Sequence, residues 1–156
     1  MEDLAGKPFR LSGLRGKVVL ITLWDTVTTN YFLETPTLNE LQRKNSNRLA
    51  VLGISLDITA NERDCCAEVH DHAAHPKPDL TAIRAQVQRV ADKNGIKYPV
   101  LIDPTGSVGW RFNADLLPSY ILIDAEGYIR GRFTGGRNLR TLEAMVNQAA
   151  SQTAQK

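Results

Sequence analysis

The chain has 156 residues, 42% of them apolar, so it has the length of one domain and can bury a full core. Its 19 Lys and Arg against 17 Asp and Glu leave a net charge of +2, too balanced to point to nucleic acid or an anionic membrane as partner. No apolar run approaches the ~20 residues of a spanning helix, no signal-peptide core opens the chain, and two adjacent cysteines exclude a disulfide framework.

Met1 to Arg10 is a polar start with no element assigned to it. Val18 to Trp24 is rich in β-branched and aromatic residues and reads as a strand buried on both faces. A polar loop, Asp25 to Asn30, follows, with Asp25 read as a solvated loop carboxylate. Tyr31 to Lys44 reads as a helix with Tyr31, Phe32, Leu38 and Leu41 toward the core. Pro36 inside it predicts a kink, because proline cannot donate to the carbonyl one turn back.

Leu49 to Leu56 is a second buried strand. Thr59-Ala60-Asn61-Glu62 fits a capping box, which predicts a short helix to about Ala74, ahead of Pro76. Pro78-Asp79 opens another helix, with Leu80, Ile83, Val87 and Val90 as its apolar stripe and Asn94-Gly95 as its stop. Pro99 to Asp103 is a short extended segment. Ser119–Ile123 and Tyr128–Phe133 are strands joined by so short a loop that they must form an antiparallel hairpin. Leu139, Leu142, Met145, Val146 and Ala149 mark a C-terminal amphipathic helix. This order predicts an α/β sandwich with a right-handed crossover between the parallel strands.

The landmarks at the joints of these elements resemble the thioredoxin-like redoxins of the TlpA/ResA type. They are the approach Leu11 to Leu20, Trp24 at the strand end, Glu34 and Pro36 in the first helix, Gly95 to Val100, Leu117-Pro118-Ser119, and the hairpin Ile121 to Ile129. The match covers nearly the whole chain. It implies a single thioredoxin-like domain over residues 1–156, with a central mixed sheet flanked by helices and an extra helical insertion at about 60–78. It also implies an extracytoplasmic setting and a cis Leu117–Pro118 bond beside the active-site loop.

The family's chemistry rests on Cys-x-x-Cys at the start of the first helix, where the helix dipole favours a thiolate that attacks a substrate disulfide. Counted from Trp24 to Pro36, the two cysteine positions fall on Thr28 and Tyr31, so the motif reads Thr28-Thr29-Asn30-Tyr31. Neither residue can form a disulfide, and no helix dipole brings a threonine hydroxyl near neutrality. The resemblance therefore implies the fold of a thiol-disulfide oxidoreductase, while the site argues for a non-catalytic binding or scaffolding domain. Its groove would comprise Trp24, Thr28, Thr29, Asn30, Tyr31 and Pro118, and its partner would be a protein or peptide at the Thr28/Pro118 edge.

Asn61 to Pro78 holds every cysteine and histidine of the chain: Cys65, Cys66, His70, His72 and His75. It leaves the second strand at its carboxyl end, where ligand sites of open α/β sheets gather. Two alternatives follow. Cys65 and Cys66 could be a relocated redox pair, as a strained and easily reduced vicinal disulfide. Cys66 and His70, at i and i+4, could instead bind Zn or Cu with the remaining Cys and His residues. The plainer expectation needs no cofactor. Cys65, Val69 and Ala73 form an inward stripe, so Cys65 is the more buried, reduced and structural, and the histidines lie on a solvated face. Gly135-Gly136-Arg137 reads as turn chemistry rather than a phosphate loop, and Arg130, Arg132, Arg137 and Arg140 as a solvated face.

Overall fold

A computed structural model of the chain describes residues 1–57, 79–103, 107–112, 114 and 116–153, with the side chains of residues 29–31 and 152–153 outside that description. The helix expected from the Thr59 capping box therefore lies outside the described residues.

Strands β1 (Glu2–Asp3), β2 (Val18–Trp24), β3 (Leu49–Ser55), β4 (Val100–Ile102), β5 (Ser119–Ile123) and β6 (Ile129–Thr134) form a mixed sheet. Its order among the described residues is β1-β4-β3-β2-β5-β6. β2 pairs in parallel with β3, and β3 with β4, so all three end at the same edge. β5 joins β2 antiparallel and carries β6 as a hairpin. The described helices are α1 (Thr35–Asn45), α2 (Leu80–Lys93), α3 (Ser107–Phe112) and α4 (Leu139–Thr153).

Strand alternation divides the core into two layers. Val18, Leu20, Trp24, Tyr120 and Leu122 pack with Leu38 and Leu41 of α1, Ile83 and Val87 of α2, and Leu142 and Val146 of α4. Val19, Ile21, Leu23, Ile121 and Ile123 face the other way, under Met1, Phe9, Leu11, Leu14, Val108 and Phe112. A mixed sheet covered on both faces is the α/β sandwich that the resemblance implies.

The structure corrects three expectations and adds a short helix. Residues 29–34 form a 3-10 turn, and α1 begins only at Thr35. Pro36 lies in the first turn of α1, where a missing N–H forfeits no intrahelical bond, so it starts a helix rather than kinking one. The polar N-terminus is built in: β1 pairs with β4, Met1 and Phe9 cover one layer, and Leu4 packs on the other. α3 gives no clear sequence signal because six residues are too few to display a period. The arginines after β5 are exposed but placed. Arg130 pairs with Asp124, and Arg132 and Arg137 lie 5.2 and 5.3 Å over Phe112 and Phe133.

Asp124 closes the β5–β6 hairpin by accepting from the N–H of Glu126 (3.0 Å) and Tyr128 (2.9 Å) and from Arg130 Nε (2.6 Å). Burial alone would raise its titration, but the Tyr128 N–H, the Arg130 guanidinium and the Glu126 N–H outweigh it and hold the carboxyl below the usual aspartate range. An unfolded aspartate titrates at about 3.9, so this contribution is fully present above that value and is lost as pH falls through the lower folded one. Asp124→Asn is expected to lower the thermal midpoint at pH 7 and to flatten its fall below about pH 4. Thermal unfolding of both proteins from pH 2 to 7 checks this, and parallel acid limbs would refute it.

Candidate functional site

The site lies where β2 ends. Leu23 pairs with Ser119, so Trp24 and Pro118 come side by side just past that register pair. Pro118 is buried, and the Leu117–Pro118 bond is cis. The Asp25–Thr28 loop thus leaves β2 next to Pro118, and residues 29–34 follow as a 3-10 turn.

Three carboxylates hold this loop and turn, and each is positioned by a different strand or turn. Asp25 is buried rather than solvated: its Oδ1 accepts from the N–H of Val27 (3.1 Å) and Thr28 (2.6 Å). An aspartate side chain that satisfies two loop N–H groups replaces the ladder bonds lost when the strand stops. Asp57, just beyond β3, accepts from the Thr26 N–H (3.1 Å), the Thr26 hydroxyl and the Ser55 hydroxyl. Gln86 Nε2 of α2 donates to Thr26 Oγ1 at 2.6 Å, which ties the loop to that helix. Glu34, at the end of the 3-10 turn, accepts from the Tyr120 hydroxyl.

Burial pushes the Glu34 carboxyl above its ordinary value, against the Tyr120 hydrogen bond and the Arg137 charge, which both act to lower it. Tyr120 is itself driven far above the usual phenol range, first by burial and then by Glu34, so it stays a hydrogen-bond donor. Trp24 is fully buried and meets Phe32 edge-on, with centroids 5.9 Å apart at 76°. Around this ordered base, Val27, Leu33 and Leu116 are 76%, 80% and 68% exposed.

Of the residues singled out in the sequence, the structure brings Trp24, Thr28 and Pro118 to one edge. Thr28 is half-buried and sits at the N-cap of the 3-10 turn, with no side-chain capping bond. The backbone of Thr29, Asn30 and Tyr31 continues that turn. Cys65, Cys66, His70, His72 and His75 lie outside the described residues. Asp57, Gln86 and Tyr120 carry no sequence signal for the site. Their only local mark is a polar residue at a strand end, on an exposed helix face, or on an inward strand position.

Residues 1–149 match the family described as Redoxin. A thiol-disulfide oxidoreductase ResA of Halalkalibacterium halodurans is 28% identical over 147 residues, covering 94% of this chain and 70% of that protein. The thioredoxin-like protein YneN of Bacillus subtilis is 24% identical over 94% of this chain and 74% of its own length. Among solved structures, a putative thiol:disulfide interchange protein DsbE from Chlorobium tepidum superposes with a TM-score of 0.71 at 18% identity, covering 96% of this chain and 90% of that one. The exposed lipoprotein thioredoxin Etrx1 of Streptococcus pneumoniae gives 0.69 at 18% identity, with 95% and 96% covered. The fold is thus that of the thioredoxin-like proteins. The chain belongs to the Redoxin family, as a thioredoxin-like redoxin of the TlpA/ResA type.

Proposed function

We propose that this chain is a redoxin without the catalytic dithiol, and that it binds an extended polypeptide segment in the groove between the Thr28 loop and Pro118. The sequence at 28–31, Thr-Thr-Asn-Tyr, supplies no sulfur for a mixed disulfide. The observation that carries the binding reading is the exposure of Val27, Leu33 and Leu116, which flank the edge where Trp24 meets Pro118. Exposed apolar side chains gathered on one edge mark contact with a partner. The partner is read as a protein, since the balanced charge does not point to nucleic acid; among the described residues no helix is long and apolar enough to cross a bilayer. An extracytoplasmic setting is supported by relatives in fold described as secreted and as an exposed lipoprotein.

Reduced, carboxymethylated α-lactalbumin, a chain that stays unfolded and holds no disulfide, is the probe. Fluorescence anisotropy is expected to show binding that Leu33→Asp and Leu116→Asp each weaken about tenfold, since a buried charge replaces apolar contact. Insulin reduction by dithiothreitol is expected to run at its uncatalysed rate. Catalysed turnover by the parent would overturn the non-catalytic reading, and the assay is then repeated with Cys65→Ser/Cys66→Ser. Turnover abolished by those replacements would assign the chemistry to the Cys65–Cys66 pair.

A further inference from the structure

We propose that Glu34 and Tyr120 form a clamp that locks the 3-10 turn of the Thr28 groove against the strand carrying Pro118, and that polypeptide affinity depends on this lock. The inference rests on the groove reading above. It assigns both side chains as positioning residues, not as contacts of the partner.

The two ends of the clamp differ in what holds them. Tyr120 belongs to the core. It is 1% exposed, sits two residues after Pro118 on β5, and stacks on Phe133 with centroids 4.8 Å apart and planes 11° from parallel. Glu34 closes residues 29–34, the segment that forms one wall of the groove. Their hydrogen bond joins residues 86 apart in sequence and spans the two walls.

The surroundings leave the carboxylate little freedom. Glu34 Oε2 takes the Tyr120 hydroxyl, while Oε1 lies so close over Gly136 that a Cβ there would overlap it. Gly136 follows Gly135, whose N–H donates to the Pro118 carbonyl at 3.0 Å. The Glu34 side chain is therefore wedged between β5 and the β6–α4 loop, both of which contact Pro118. Among the described residues, the charged and titratable groups acting on it are Tyr120 from β5 and Arg137 from that loop. Arg137 is itself fixed by donating Nη1 to the carbonyls of Thr134, Gly135 and Gly136.

A half-buried carboxylate is costly in this place, because burial disfavours its charge. An uncharged acceptor of the same shape would make the same hydrogen bond without that cost. Glu34→Gln should therefore be at least as stable as the parent at pH 7 and keep the clamp.

The test compares the parent with Glu34→Ala, Glu34→Gln, Tyr120→Phe and the double variant Glu34→Ala/Tyr120→Phe, each first checked for a cooperative thermal transition. Two readouts are taken: affinity for reduced, carboxymethylated α-lactalbumin, and amide hydrogen exchange at residues 28–34. Glu34→Ala and Tyr120→Phe are each expected to weaken binding roughly tenfold and to speed exchange across residues 28–33. The double variant should be no weaker than either single one, because both remove the same bond. Glu34→Gln should bind within about twofold of the parent at pH 7.

Unchanged exchange at residues 28–33 in both single variants would overturn the clamp. Glu34→Gln as damaging as Glu34→Ala would overturn it too, because the charge itself would then touch the partner. If no variant, parent included, binds α-lactalbumin, the groove reading fails for this partner and the affinity half of the proposal falls with it. The exchange rates would still decide whether Glu34 and Tyr120 lock the turn.

Discussion

Trp24→Ala is expected to cost about 3–5 kcal/mol of stability, the range for truncating a large aromatic side chain in a core. The indole is fully buried at the end of β2, where the core layer under α1, α2 and α4 meets the groove. It packs edge-on against Phe32 and lies against Gly53 of β3, whose missing Cβ makes room for it: a Cβ there would come within 2.9 Å of Nε1 and 3.2 Å of Tyr98. Gly53 cannot supply a side chain to fill the space that alanine leaves, so the cavity stays open. Urea unfolding at pH 7 measures the loss. The chain has two tryptophans, and the other, Trp110, is 69% exposed, so native Trp24→Ala should emit at the longer wavelength of a solvated indole. A loss below about 1 kcal/mol would show that the site collapses around the vacancy and that this packing is not what fixes the strand end.

Asp57→Ala is expected to destabilise the protein by about 2–4 kcal/mol, because it strands the donors that meet on one carboxylate. Asp57 is 6% exposed and takes the Thr26 N–H and the hydroxyls of Thr26 and Ser55. Ser55 is 2% exposed, so water cannot readily replace the lost acceptor there. The Thr26 hydroxyl also accepts from Gln86, so the loss should loosen the link between α2 and the loop as well. Asp57→Asn keeps one acceptor oxygen and should recover part of the difference. Chemical denaturation of the three proteins gives the stabilities, and amide exchange at residues 26–28 shows whether the loop opens first. Equal stability for Asp57→Ala and the parent would mean that the hydroxyls find other acceptors, and would remove Asp57 from the account of the site.

The two residues make one point about the groove. The groove proposed at this edge would have a core tryptophan as its floor, and buried Asp25 and Asp57 hold its loop. Pre-formed loops bind with less ordering cost than those that must first be fixed. Residues 28–31 of this edge carry no sulfur.

Elements whose stabilising pattern is local are legible in the residues themselves. The apolar runs of β2 and β3, the Asp79 start and Gly95 stop of α2, and the tight hairpin at Asp124–Gly127 are fixed by residues within one or two turns of each other. So is the absence of sulfur at Thr28 and Tyr31. Tertiary structure alone decided what joins distant segments. Pro36 proved to start a helix because the chain before it turns as a 3-10 segment against Trp24. Asp25 is buried because the β2 end is enclosed. Glu34 finds Tyr120, and Thr26 finds Asp57, only after the sheet order places β5 and β3 on either side of β2. Periodicity reports which face a residue presents, but a hydrogen bond across 31 or 86 residues depends on strand order and register, which the whole core sets.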